Sequence, residues 1–383
     1  MIYLAVPDLS GNERKYLNEC IDTTFVSSIG KFVTNIERLT AEKSGAAFAV
    51  ATSSGTTGLH LALTGYGVGR DDLVLIPTFT FIATANAVVH CGASPWLIDI
   101  DLGSWTMSIE HLKSELETKT VRKSGKLFHR ESGKRVAAIM PVYTLGNIPR
   151  MDELRKIANR YNLPIIADAA AALGATYQSK KIAELADATV FSFNGNKTVT
   201  AGGGGIVVCN DEAMAKKLKH LSTTARVTGE YDHDMVGFNY RMTNIQAAVG
   251  CAQLERLEVL VAKKRQIRNI YEREFDGVNG IQMFPNPSYQ QSACWFSGIV
   301  FDDGNLDKVR YFCEELRKHD IEARSFWKPV HLQRPYRNAV KDERLETASA
   351  LWNRILTLPC STNITEQEIV FVADAVKDII KSL

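Results

Sequence analysis

The sequence lacks most signals of metal, membrane or nucleic-acid chemistry. Its 383 residues include seven scattered cysteines, with no CxxC pair and no His/Cys cluster of zinc-ligand spacing, so we expect no metal site. A net charge of +2 gives no reason to expect nucleic acid or a membrane surface as a partner. No apolar run is long enough to cross a bilayer. The start lacks signal-peptide features and the cysteines fit reduced thiols, so we expect a cytoplasmic protein.

Two common phosphate-binding motifs are also missing. The Ser/Thr-rich stretch 51–60 has no Gly-Lys-Ser/Thr ending, so it is not a Walker A loop. The glycines at 202–205 precede a predicted strand rather than a helix, so they do not form a GxGxxG dinucleotide fingerprint. A Rossmann-type oxidoreductase is therefore disfavoured.

Strands and helices alternate between about residues 35 and 240. Seven apolar segments predict strands, several of them buried on both faces, at 47–52, 73–77, 96–100, 136–142, 163–168, 189–193 and 205–209. Helical patterns lie between them, which indicates an α/β fold with a largely parallel sheet covered by helices. The basic, polar stretch 119–134 interrupts the alternation and predicts an exposed hairpin or loop.

The C-terminal third has a different pattern. Residues 244 to about 275 predict one long amphipathic helix, and mixed strand and helix signals follow it. We therefore expect a large domain over 1–250, and a connecting helix with a small domain over 251–383. A first helix near Ser10, with Glu13 at capping-box spacing, is a candidate to pack on the small domain.

Lys197 is the residue with the strongest chemical signal. It follows an apolar strand in the polar turn 194–196, where partial burial would favour a neutral amine that can form a Schiff base. Pyridoxal phosphate (PLP) enzymes need such a lysine, and a carboxylate to pair with the pyridinium nitrogen. Asp168, at the end of another strand, is the candidate carboxylate. Taken alone, Lys197 could be a solvated turn lysine, and Asp168 the N-cap of a helix starting at Ala169.

Other polar and aromatic residues follow further predicted strands. Residues 51–60 open a helix, whose N–H groups could bind an anion or simply receive an N-cap. Phe81 could stack on a flat heteroaromatic ring or belong to the core. Ligands of parallel-sheet folds bind at the carboxyl ends of strands, and all these residues fall at such ends. The sequence therefore predicts one site there.

Together these segments resemble the DegT-type sugar aminotransferases, which are PLP enzymes of the aspartate-aminotransferase fold (type I). The resemblance covers nearly the whole chain, with landmarks at 54–56, 77–81, 168–170, 191–197 and 237–244. It implies a large domain with a mostly parallel seven-stranded sheet and a smaller α+β C-terminal domain. It also implies PLP as the cofactor.

The resemblance assigns a role to each landmark residue. Lys197 is similar to the lysine that binds PLP and moves protons, and Asp168 to the carboxylate that keeps the ring nitrogen protonated. The remaining cofactor contacts would be Gly55, Thr56 and Ser192 at the phosphate, Phe81 at the ring, and Asn239 reaching the phosphate of a neighbouring subunit. A homodimer with shared active sites is therefore expected.

Segments 6–13 and 25–33 narrow the resemblance. They look like aminotransferases of the bacillosamine and legionaminic acid pathways, which act on UDP-4-keto-6-deoxy-N-acetylglucosamine with glutamate as the implied amino donor. Substrate contacts would come from Ser28, Tyr143, Arg241, Lys328 and His331. Tyr143 stands where relatives commonly carry histidine. The alternatives are C3 amination, a dTDP- or GDP-linked sugar, or a non-catalytic protein that binds sugar nucleotides.

Overall fold

The alternation in the sequence becomes a layered α/β structure in the computed structural model, which describes residues 1–382. The α-helices in those residues are α1 (Glu13–Asp22), α2 (Lys31–Ser44), α3 (Gly55–Gly65), α4 (Ile82–His90), α5 (Ile109–Lys119), α6 (Met151–Tyr161), α7 (Glu212–Ser222), α8 (Asn244–Leu254), α9 (Leu257–Glu274), α10 (Leu306–Lys318), α11 (Glu346–Leu351) and α12 (Glu366–Lys381). The strands are β1 (Phe48–Thr52), β2 (Asp72–Pro77), β3 (Ser94–Ile98), β4 (Thr120–Lys123), β5 (Lys126–His129), β6 (Arg135–Ile139), β7 (Ile166–Asp168), β8 (Thr176–Tyr177), β9 (Lys180–Lys181), β10 (Ala188–Ser192), β11 (Gly205–Cys209), β12 (Ile281–Met283), β13 (Gln290–Gln291), β14 (Ser297–Phe301), β15 (Arg324–Ser325), β16 (Val340–Lys341) and β17 (Ile355–Leu358).

The predicted apolar strands form the centre of the large domain. One sheet has the order β1-β11-β10-β7 and the other β16-β3-β2-β6-β5-β4. Two isolated parallel bridges, Ile139 to Ile165 and Val142 to Asp168, connect them. The pairs β7–β10, β2–β6 and β2–β3 are parallel, whereas β11 runs antiparallel to both its neighbours. The prediction of a mostly parallel arrangement is confirmed, with the strands divided between two sheets.

Both faces of the central strands are buried, as their continuous apolar sequences require. In β2, Leu73 and Leu75 belong to one hydrophobic cluster and Val74 and Ile76 to another, because successive side chains point to opposite faces. The basic stretch 119–134 contains the hairpin of β4 and β5, as predicted. No helix within residues 1–382 combines the length and apolarity needed to span a membrane.

The small domain is an α+β unit, as predicted. Its sheet has the order β12-β14-β17-β15, and α10 and α12 pack near it. The first residues of the chain join this domain, since Ile2 bridges Ile321 and the Leu4 carbonyl accepts a hydrogen bond from the Cys360 N–H (2.8 Å). The expectation that the first helix packs there is wrong, because α1 lies against α8 of the large domain.

The capping box expected at Ser10 does not form. The Ser10 hydroxyl donates to Asp8 (2.7 Å), and the Glu13 carboxylate accepts from the side chain of Gln253 (2.6 Å). Glu13 therefore holds α1 against α8, and its second oxygen accepts from the Gly11 N–H before the helix (2.8 Å).

The single long helix predicted over 244–275 is divided into α8 and α9. Glu255 and Arg256 interrupt it, and both contact the N-terminal segment. Tyr16 donates to Glu255 (2.7 Å), and Arg256 forms an ion pair with Asp8 (3.1 Å). A domain boundary at residue 250 would fall inside α8.

The chain returns from the small domain to the large one after residue 326. β16 pairs in parallel with the edge strand β3. The buried Asp99 carboxylate accepts hydrogen bonds from the N–H groups of Thr347 (2.8 Å) and Ala348 (3.0 Å), at the start of α11. These contacts fasten the two domains together beside the carboxyl ends of the strands.

Candidate active site

The carboxyl ends of the central strands open on a cavity of about 340 Å³. Seven of the residues selected from the sequence line it: Gly55, Thr56, Phe81, Tyr143, Asp168, Ser192 and Lys197. The other five lie outside its described lining: Ser28, Asn239, Arg241, Lys328 and His331. The structure therefore brings six of the seven predicted cofactor contacts to one cavity. The seventh, Asn239, is expected at the phosphate of a neighbouring subunit and lies outside this cavity.

Lys197 lies in a tight turn after β10. Its N–H donates to the Asn194 carbonyl (3.0 Å), and the turn is closed by a bond from the Ala201 N–H to the Phe193 carbonyl (2.9 Å). Its amine Nζ lies 3.6 Å from the ring centroid of Trp295. Burial lowers the pKa of Lys197 to about 8, although the charge of Asp168 acts in the opposite direction. The amine can therefore lose and regain a proton near neutral pH.

Asp168 ends β7 with its carboxylate buried at the cavity floor. Thr84 donates to one oxygen (2.7 Å) and the Ala170 N–H to the other (3.2 Å). Burial raises the pKa of Asp168, while these two bonds and Lys197 lower it. The segment that follows is a turn rather than a helix, so Asp168 is not a helix N-cap. A buried carboxylate facing a cavity is suited to pair with a cationic ring nitrogen.

The N-terminus of α3 also lines the cavity. Ser54 and Thr57 form a reciprocal capping box, with Thr57 N–H to Ser54 Oγ at 3.1 Å and Ser54 N–H to Thr57 Oγ1 at 3.0 Å. The leading N–H groups of the helix belong to Gly55 and Thr56, beside the hydroxyl of Ser192. Peptide dipoles make this end electropositive, so it suits a phosphate group.

Replacing Gly55 by alanine is expected to weaken PLP binding about tenfold or more. A Cβ there would lie 2.9 Å from Cβ of Ser192, so the helix start and β10 would have to separate. The measurement is an absorbance titration of the protein with PLP. Gly69→Ala is the matched control, because a Cβ at Gly69 meets nothing within 4 Å. Equal PLP affinity of both variants would contradict the expectation.

Aromatic side chains form the wall of the cavity that faces the small domain. Phe81 is 54% exposed, and its ring centroid lies 6.0 Å from that of Trp327. Trp295, which is buried, lies 5.9 Å from Trp327. Sequence reasoning missed both tryptophans as site residues, because neither belongs to a strand end of the large domain.

Tyr143 also lines the cavity but is only 1% exposed. Its hydroxyl has no hydrogen-bond partner within residues 1–382. Burial raises the pKa of Tyr143, so the hydroxyl stays neutral and can both donate and accept. An unpartnered hydroxyl on a residue of the cavity lining is a candidate contact for a polar ligand group.

Both ring nitrogens of His331, a predicted substrate contact, have partners within the chain. Its Nδ1 is hydrogen-bonded to Thr78 Oγ1 (2.6 Å) and its Nε2 to Ser349 Oγ (3.0 Å). Both ring nitrogens are therefore used in joining the two domains. Lys328 is exposed, with Nζ 5.8 Å from the ring centroid of Trp352.

His331 should make stability depend on pH. Burial lowers its pKa to about 4, whereas an unfolded histidine has a pKa of about 6.5. As the pH falls through this window the unfolded chain binds the proton first, so the free energy of unfolding should drop by up to about 3 kcal/mol. Urea unfolding at several pH values measures this. The His331→Asn variant should lose most of that difference, and an unchanged pH slope would contradict the assignment.

Comparison with known proteins identifies the family. Residues 7–377 match the DegT/DnrJ/EryC1/StrS aminotransferase family. The chain is 36% identical over 381 residues to GDP-perosamine synthase of Caulobacter vibrioides, covering 99% of this chain and 98% of that protein. It is 31% identical over 358 residues to the UDP-4-amino-4,6-dideoxy-N-acetyl-beta-L-altrosamine transaminase of Campylobacter jejuni, covering 92% and 91%.

A solved structure gives the same fold. Helicobacter pylori PseC, an aminotransferase involved in the biosynthesis of pseudoaminic acid, superposes with a TM-score of 0.89 at 23% identity, and each chain is covered completely. The fold predicted from the resemblance is thereby confirmed. Given the match over residues 7–377 and relatives of 31% and 36% identity along most of their length, the chain belongs to the DegT/DnrJ/EryC1/StrS aminotransferase family and is a PLP-dependent sugar aminotransferase.

Proposed function

We propose that this enzyme transfers an amino group from glutamate to the C4 keto group of a nucleotide-linked 4-keto-6-deoxy sugar. UDP-4-keto-6-deoxy-N-acetylglucosamine is the acceptor predicted from the sequence. The observation that supports the reaction best is that Lys197, Asp168 and the electropositive start of α3 line one cavity. A lysine, a buried carboxylate and an anion site are the three groups that hold PLP.

The residues at the cavity fit PLP. Lys197 would hold its reactive carbon, Asp168 its ring nitrogen, and Phe81 the face of its ring. Gly55, Thr56 and Ser192 would hold the phosphate. When bound, the cofactor supplies an electron sink that stabilises the carbanion formed as a substrate carbon loses its proton.

Lys197 is the proposed general base and acid of the reaction. A pKa of about 8 lets its amine take a proton from the amino acid's α-carbon and deliver it again near neutral pH. Asp168 supplies the fixed negative charge that keeps the ring nitrogen protonated. The largely buried wall around Trp295 and Tyr143 limits water beside the reacting carbon.

A GDP-linked sugar is the second candidate acceptor. GDP-perosamine synthases of Caulobacter vibrioides and Vibrio cholerae are 36% and 34% identical to this chain over nearly their full length. The Campylobacter relative, whose name specifies a UDP sugar with a 4-amino group, is 31% identical. The Campylobacter name supports amination at C4, and the names together leave the choice of nucleotide to experiment.

The deciding experiment is mass spectrometry after incubation with PLP, glutamate and either the UDP- or the GDP-linked 4-keto-6-deoxy sugar. Formation of an amino sugar and 2-oxoglutarate supports the acceptor that reacts. Conversion of the GDP sugar alone would replace the first acceptor by the second. If neither sugar changes and borohydride does not fix PLP to Lys197, the proposed reaction is overturned.

Tyr143→Phe tests whether the unpartnered hydroxyl binds the sugar. We expect KM for the sugar to rise about five- to tenfold, the value of one lost hydrogen bond, with KM for glutamate unchanged. The melting temperature should not fall, because the hydroxyl bonds nothing within the described residues. Steady-state kinetics with each substrate varied in turn separates the two effects, and equal changes in both KM values would contradict a sugar contact.

We also propose that Asn239 completes the phosphate site of a second subunit in a homodimer. The neighbouring backbone is held firmly, since the Ser53 N–H donates to the Tyr240 carbonyl (2.7 Å) and the Tyr240 hydroxyl bonds His60 (3.0 Å). Asn239 itself is exposed, and its amide oxygen accepts from Arg241 (3.4 Å). Mixing inactive Lys197→Ala and Asn239→Ala chains should restore some activity if sites are shared.

A cytoplasmic location is proposed as well, supported by seven free thiols.

A further inference from the structure

The side chain of Trp295 contacts the catalytic turn in two ways. The face of its ring lies against Nζ of Lys197, at 3.6 Å from the ring centroid. Its indole N–H donates to the carbonyl of Asn196 (2.7 Å), which directly precedes the lysine. One residue of the small domain therefore contacts both the amine and the backbone that carries it.

The backbone of Trp295 is itself fixed from two directions. Its N–H donates to the Leu145 carbonyl of the large domain (3.0 Å), and its carbonyl accepts from the buried amine of Lys264 (3.0 Å). Cys294 and Leu145 both have positive φ, 50° and 61°. Positive φ costs a non-glycine residue conformational free energy, so it persists where the surrounding structure imposes it.

We propose that Trp295 is a positioning residue for Lys197: its ring face receives the protonated amine, and its indole N–H holds the turn in place. The proposal rests on the proposed role of Lys197 as the base of the transamination. Tryptophan is the best aromatic partner for a cation, and the interaction strengthens when water is excluded. The ring thus opposes the desolvation that otherwise drives the amine toward its neutral form.

The electrostatic surroundings of the amine are simple. Asp168 and Tyr143 are the titratable side chains that share the described cavity lining with Lys197. Asp168 favours the protonated amine, and the buried Tyr143 stays neutral because burial raises its pKa. Substituting Trp295 leaves both of these side chains in place, so a change in the ionisation of Lys197 can be attributed to the loss of the indole ring.

The test measures the ionisation of Lys197 in the full chain freed of PLP. Acetic anhydride labels only unprotonated amines, and mass spectrometry of the Lys197 peptide across pH gives its midpoint. We expect Trp295→Leu to lower this midpoint by about half a pH unit or more relative to Trp327→Leu, with Trp295→Phe between them. Trp327→Leu is the matched control, because it enlarges the same cavity but leaves Trp295 in place.

Two outcomes would overturn the proposal: equal midpoints in Trp295→Leu and Trp327→Leu, or a higher midpoint in Trp295→Leu. If Trp295→Leu does not fold, the comparison of Trp295→Phe with Trp327→Phe decides in the same way. Borohydride trapping of PLP on Lys197 is run on the parent protein alongside. Its failure would overturn the proposed function, whereas trapping with unshifted midpoints would overturn only the role of Trp295.

Discussion

Lys197→Ala is expected to lower amination below detection, a loss of at least about 10⁴-fold. The residue is the only lysine of the described cavity lining, and its amine is the group there that can exchange protons near neutral pH. The fold should survive, because within residues 1–382 the side chain has no hydrogen-bonded partner that would be left buried. Steady-state kinetics with glutamate and the keto sugar measures the loss.

The control for this variant is Lys156→Ala, which removes an exposed lysine of α6 and should keep full activity. Circular dichroism and melting temperature would establish that both variants fold. Residual turnover of Lys197→Ala above about one per cent of the parent, by the scale of general acid–base catalysis, would contradict the assignment.

Asp168→Asn is expected to reduce kcat by about 100-fold or more, while PLP still binds. An amide of the same shape can accept from the Ala170 N–H and donate to the Thr84 hydroxyl once that hydroxyl turns, but it carries no charge to hold a proton on the ring nitrogen. The absorption spectrum of the bound cofactor should change with the rate. Kinetics and spectra recorded on the same preparation measure both effects.

Thr84→Val is the graded control for Asp168. It removes one hydrogen bond to the carboxylate (2.7 Å) but keeps the charge, so we expect a loss of about tenfold or less. If Asp168→Asn were no slower than Thr84→Val, the negative charge would not be the property that matters.

The sequence predicted the central strands, and the site residues at their carboxyl ends, better than any other part of the structure. All seven predicted strands occur, because a strand buried on both faces needs a continuous apolar run and little else has that pattern. Lys197, Asp168 and Gly55 could be placed together because each lies at the carboxyl end of such a strand or a few residues beyond it. The family resemblance then supplied roles that composition and spacing alone left open.

Contacts between distant segments could not be predicted. Nothing in Glu255 and Arg256 breaks a helix by propensity; the break between α8 and α9 coincides with their bonds to Tyr16 and Asp8. Trp295 lies about a hundred positions after Lys197, in a segment with no strand-end pattern. Nor could the sequence show that both ring nitrogens of His331 are hydrogen-bonded to Thr78 and Ser349.

The pairing of β16 with β3 bears on how the chain folds as it is synthesised. Until residues 340–341 leave the ribosome, β3 is the outermost strand of its sheet, with one row of backbone groups unpaired. The nascent large domain therefore exposes an unpaired strand edge during the synthesis of the residues between it and β16. Chains terminated before β16 should associate with one another, and chaperones that protect strand edges would be needed during that interval.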